Sequence, residues 1–263
     1  MEMTPSRFAL PSPTSVLPDL AAFCIGVASA RLLGWTTTDL VWSLWLSSLV
    51  LGYLSILSVI GEGVTIGCMV VFNPTFPAQD RGKAILAGSG VALFLVGFFS
   101  LHFCGFHSVH AAFLSSFFPL PGAANRAVGN MGMNPFKVLG TAVHVLMPTY
   151  GIFLIPMMIA ERRIAFGWIG TVAAKWNRLD PAQGLAQLFG ASGASGHDLI
   201  SRPYLNVVRM HLLIFFFAIC HALKVDSFPV FVVVYAVYFF PWSAFRRSTG
   251  DRQATAETCR IRA

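Results

Sequence analysis

Polar residues are sparse along this chain, and the gaps between them set its architecture. A helix needs about 20 predominantly apolar residues to cross the roughly 30 Å hydrocarbon core of a bilayer. Six stretches qualify, at roughly 17–34, 39–60, 84–118, 137–160, 203–222 and 227–245. The pattern predicts an all-α, polytopic transmembrane helix bundle of about six spans over residues 17–245. A short segment, 1–16, precedes it and a basic tail, 246–263, follows. Asp39 stands before the second run as a natural N-cap, with Thr36, Thr37 and Thr38 forming the turn into it. The third run is too long for one straight span. Gly97 and Gly105 are candidate bends, and Pro119 and Pro121 close it, so it either protrudes or breaks into a span plus a surface helix. The first run is the weakest. Its Ala28-Ser29-Ala30 resembles a signal-peptidase site after an apolar core preceded by Arg7, but the sequence favours an uncleaved helix.

Composition sharpens this picture. Hydrophobic residues make up 56% and charged residues 11% of the chain, against roughly 25% charged in a soluble domain. The net charge of +7 does not point to nucleic acid, because the basic residues cluster beside the ends of the runs. With the N-terminus placed inside, thirteen Lys and Arg fall on the inner side: Arg7, Arg81, Lys83, Arg162, Arg163, Lys175, Arg178, Arg202 and the five of the tail. Only Arg31, Arg126, Lys137 and Lys224 fall outside. That bias predicts a multi-pass protein of a bacterial inner membrane with both termini cytoplasmic.

Between the fourth and fifth runs, Ile164, Trp168, Val172 and Trp176 recur every four residues, flanked by Arg162, Lys175 and Arg178. This reads as a cytoplasmic amphipathic helix in the headgroup plane. Beyond Pro181, Gly190 to Gly196 reads as a flexible linker. No internal repeat is evident, so the inverted-repeat signature of many transporters is missing.

The chemistry lies in the histidines. His102, His107, His110, His144, His211 and His221 fall within or against apolar runs, and only His197 is placed in a cytoplasmic segment. Ionisable groups in hydrocarbon are costly and by default mark a site or a pathway. His102 lies about 27 Å along the third span at 1.5 Å per residue, toward the outer face. His107 and His110 lie just beyond it, His144 about two turns below the outer surface, His211 near mid-membrane and His221 at the outer end. At 100° per residue His102, His107 and His110 spread over about 140° of one helix. Cys104 and Cys220 adjoin histidines, and the outer loop adds Met131 and Met133. Imidazole with thioether and thiolate suits copper, zinc or haem iron. The bland readings stand beside this one. A histidine in a span can simply bond a neighbouring helix, His107, His110 and His221 can sit in the interface, and the cysteines and methionines can be packing residues. The pair His102 and His211 stands out, because both are expected to be desolvated in separate spans. Arg209, two positions before His211, either snorkels to the cytoplasmic surface, pairs with Glu62, or meets an anionic ligand.

No Walker loop, dinucleotide fingerprint, Gly-x-Ser-x-Gly elbow or Cys-x-x-Cys pair is present, and no catalytic residue is marked. The H-x4-H-x2-H spacing lacks the several cytoplasmic histidine boxes of membrane di-iron oxygenases. Carboxylates are expected to be absent from the span interiors.

Certain strings carry a resemblance. Leu40-Val41-Trp42 with Trp45 and Gly52 resembles the opening span of a family of uncharacterised bacterial polytopic membrane proteins, known as a domain of unknown function. Phe99-Ser100-Leu101-His102-Phe103, Gly105-Phe106 and Val109-His110 are similar to its aromatic-histidine stretch, and Arg202-Pro203-Tyr204 with Met210-His211-Leu212 to its RPY…MHL segment. The resemblance spans roughly 39–240 and implies weight on His102, His110 and His211. It implies no activity. Where the family pattern carries an acidic residue after the tryptophans, this chain has Ser47-Ser48.

Three functions remain open at this point. The first is a metal or haem site built on His102, His110 and His211, with His107, His144 and His221 as lesser candidates, serving redox chemistry or metal handling near the outer leaflet. The second is a transporter or channel with a histidine-lined proton path. The third is a structural or assembly subunit, its amphipathic helix meeting a membrane protein partner or a second copy of the chain.

Overall fold

The computed structural model describes residues 13–162 except Thr75, together with positions 166, 169, 212, 215–217, 219–220, 222–224, 229, 232–233 and 235–236. His197, Arg209, His211, His221, the linker and the tail lie outside the described residues, as does most of the expected amphipathic helix. Every regular element among the described residues is helical. They run α1 (Pro13–Leu32), α2 (Thr37–Val71), a 3₁₀ turn (Ala78–Asp80), α3 (Arg81–Phe117), α4 (Ala123–Gly129) and α5 (Pro135–Ala160). Three helices, α2, α3 with its leading turn, and α5, are long and apolar enough to cross a membrane.

The punctuation at the start of α2 differs from expectation by three residues. Thr36 is the N-cap, and Asp39 occupies the third helical position and closes a capping box. The Asp39 carboxylate accepts from the Thr36 backbone N–H at 2.8 Å, so a helix donor that would otherwise be orphaned is satisfied. The same carboxylate accepts from the Tyr150 hydroxyl at 3.1 Å, which ties the cap to α5.

α2 then continues to Val71, well past the predicted end near residue 60. Glu62 therefore lies inside the helix, about 33 Å along from Asp39, and is buried. Between Asp39 and Glu62 no charged residue occurs. α3 runs unbroken through Gly97 and Gly105 for 37 residues, or about 55 Å. It does not break. α5 begins at Asn134, whose side chain accepts from Phe136 N and Lys137 N, with Pro135 in the first turn. Two prolines perturb it. Pro148 has no N–H for the His144 carbonyl, and the preceding turn Ala142–Leu146 widens to π geometry. Pro156 likewise leaves Ile152 without its donor, and Gly151–Phe153 tightens to 3₁₀.

α2 and α3 pack antiparallel: Tyr53 meets Ser100 while Trp45 meets His107. α1 runs antiparallel along the end of α5, where Asp19 pairs with Arg162 and Trp35 packs on Tyr150 and Phe153. The core joins the first half of α2, the second half of α3, the α3–α5 connection and α5.

Candidate functional site

The densest part of this core is aromatic and carries histidine. Trp42 and Trp45, one turn apart on α2, are fully buried against α3. The Trp42 indole N–H donates to the Phe118 carbonyl at 2.8 Å, and the Trp45 N–H donates to the His107 carbonyl at 3.1 Å. Both indole donors are thus spent on the backbone of α3, where an unmet N–H would be expensive. Gly52 lets α3 come close. A Cβ there would lie 2.2 Å from the tip of the Phe103 ring. Phe103 fills that space and packs on His107 at 4.3 Å between ring centroids, while Trp45 lies edge-on to His107 at 5.6 Å.

His107 is 1% exposed. Its Nδ1 lies 3.1 Å from the Phe103 carbonyl, and a carbonyl only accepts, so Nδ1 carries the proton. In the neutral ring Nε2 then holds a lone pair. That atom is buried and makes no hydrogen bond among the described residues. Metal-ligating histidines share this arrangement: one ring nitrogen donates to a carbonyl, which fixes the tautomer and aims the other nitrogen at the ion. His110, one turn on, is also buried, with its ring 6.3 Å from that of His107. The Ser108 hydroxyl donates to the Gly132 carbonyl and holds the α3–α5 connection against α3. Gly132 has a positive φ of 58°, a conformation glycine adopts without penalty. Beside it Met131 is buried at 1% exposure, whereas Met133 is exposed.

The sequence candidates therefore separate. His107 and His110 come together on the buried face of α3. His102 is exposed on another face, stacked on Phe98 (5.9 Å) and edge-on to Phe106 (4.9 Å). His144 is exposed on the π turn of α5. His211, His221 and Arg209 are outside the described residues. No group of three His, Cys, Asp or Glu able to hold a metal occurs among the described residues. The ordering of His102 above His107 is thus the reverse of their burial. A signal for the true phase was present in the small residues of α3: Cys104, Ser108 and Ala111 recur at i, i+4 and i+7, mark the face that packs closely, and share it with His107.

The sequence of residues 20–240 matches the model of a family of unknown function (DUF6498). No curated protein and no solved structure matches the chain.

Proposed function

We propose, for a chain that belongs to this family of unknown function, an integral membrane protein that holds a transition-metal ion on His107 and His110. The carrying observation is the His107 ring, anchored through Nδ1–H with a buried, unmet Nε2. Leaving such an atom without a partner costs about 1–3 kcal/mol, and an ion accepting its lone pair removes that cost. With Phe103 and Trp45 packed on it at 4.3 and 5.6 Å, His107 suits a single ion better than a haem macrocycle. With six spans and both termini cytoplasmic, as the basic-residue bias implies, the pair lies toward the outer leaflet and serves metal handling there. α1 belongs to the bundle in this reading. The family match begins within it, Asp19 pairs with Arg162, and Gly26 accommodates the Tyr235 hydroxyl where a Cβ would lie only 2.2 Å away.

The test is metal analysis of the full chain purified in detergent and reconstituted with copper, zinc or cobalt. We expect about one ion per chain, lost in His107→Gln and kept in His102→Ala. A wild-type protein that binds none of the three metals stoichiometrically, while melting cooperatively, would overturn the proposal. In that case a second reading takes over. The buried Ser43, Ser47, Ser55 and Glu62 lie within about 120° of one face of α2 and line a polar path for transport.

A further inference from the structure

The metal reading leaves the pair short of donors. Two imidazoles fill only part of an ion's coordination shell, and no third histidine, cysteine or carboxylate joins them among the described residues. The neighbouring donor of a different kind is a thioether. Ser108 sits between His107 and His110 in sequence, and its hydroxyl holds the Gly132 carbonyl, so residue 132 is fixed against the same turn of α3 that carries both rings. Met131 is the adjoining residue and is buried in the same core as Leu114 and Val138. Gly132 turns the chain sharply there, leaving Met131 inside and Met133 outside. Of two methionines two residues apart, the structure selects one.

We infer that His107, His110 and Met131 form a cuprous-copper site, an inference that rests on the metal reading of the histidine pair. Soft thioether donors select Cu(I) over zinc and cobalt, and a low coordination number suits a d¹⁰ ion without a water ligand. Burial excludes the water that a divalent ion would retain to complete its shell. The same connection is held to α3 through Ser108, beside both rings in sequence, and carries the buried Met131. The chemistry required is binding and release of Cu(I), with no change of oxidation state at the site.

The experiment is an anaerobic titration of the full chain in detergent with Cu(I), in competition with a chromophoric Cu(I) chelator, and a parallel titration with Co(II). Wild-type protein is expected to hold one Cu(I) per chain, and Met131→Leu to weaken it by roughly tenfold or more. Weak Co(II) binding to the histidine pair is unchanged in that variant, and Met133→Leu behaves as wild type in both titrations. Leucine matches methionine in volume, so the melting temperature of Met131→Leu reports intact packing. X-ray absorption at the copper edge adds an independent readout, a Cu–S scattering path present in wild type and absent in Met131→Leu. Equal Cu(I) affinity in wild type and Met131→Leu, or tighter Co(II) than Cu(I) binding, overturns this inference and leaves the histidine pair standing. Failure of every metal to bind overturns both.

Discussion

The two halves of α3 are nearly equal in apolar character and opposite in surroundings. From Arg81 to His102 no residue is buried, and Leu86, Leu93 and Phe94 stand far out of the protein. From Phe103 to Leu114 the buried face is Phe103, Cys104, Gly105, His107, Ser108, His110, Ala111 and Leu114, while Phe106 and Val109 point outward. The buried half-face is the more polar one. In water this would be an inverted protein. Among lipid tails an outward leucine loses nothing, because the solvent is as apolar as the core, and helices associate through small residues, hydrogen bonds and close packing. What marks the interior of this chain is therefore the position of Gly, Ser, Cys, Trp and His, not of Leu and Phe.

The sharpest way to break that contrast is to truncate the same residue type in each half. Phe103→Ala removes a ring that packs on His107, Tyr53 and the surface over Gly52. It is expected to cost about 3–5 kcal/mol in detergent unfolding. Phe94→Ala, nine residues away on the same helix, removes a ring 67% exposed and should change stability by less than ~0.5 kcal/mol. Comparable losses at both positions would mean that the first half of α3 is covered too.

A smaller effect, with a change of sign, separates the two halves of α2. A Cβ at Gly52 meets the Phe103 ring at 2.2 Å, and that ring is held by its neighbours, so Gly52→Ala is expected to destabilise by about 1–3 kcal/mol. Nothing lies within 4 Å of a Cβ at Gly63. There Gly63→Ala is expected to stabilise by about 0.5–1 kcal/mol through helix propensity alone. Thermal melts of the two single variants decide it, and a shift in the same direction at both sites would refute the packing contrast.

The same physics explains what the sequence disclosed. Helix positions were legible where polar residues and prolines punctuate them: Thr36 and Asp39 open α2, and Pro119 and Pro121 follow the end of α3, while α5 opens at Asn134 and Pro135, just before the run expected from Lys137. The end of α2 carries no such mark: the apolar run closes near residue 60, yet the helix continues through Glu62 to Val71, because a buried carboxylate does not interrupt hydrogen bonding along a helix. The candidate site was legible as a set of histidines and illegible as a geometry. Hydrophobic periodicity identifies the buried face of a helix in water, but on α3 the outward face is as apolar as any core. His102, flanked by Phe98, Leu101, Phe103 and Phe106, looked as interior as His107. The pairing of Trp45 with the His107 carbonyl spans 62 residues of sequence and leaves no local trace.

The smallest expected effect tests the contrast where sequence and structure disagree most. His102 belongs to an outward ladder, Phe94, Phe98, His102 and Phe106, each four residues from the next, with successive rings 6.0, 5.9 and 4.9 Å apart. A phenylalanine in its place continues that ladder with a ring of similar size, and the Phe103–His107–Trp45 stack lies on another face. His102→Phe is therefore expected to shift stability by less than ~0.5 kcal/mol and, on the proposed site, to leave bound metal unchanged, whereas His107→Gln is expected to remove it. If His102→Phe instead released the ion, the metal-binding face of α3 would be its exposed one, and the division between a packed, functional half-face and an inert apolar one would have to be redrawn with its sides exchanged.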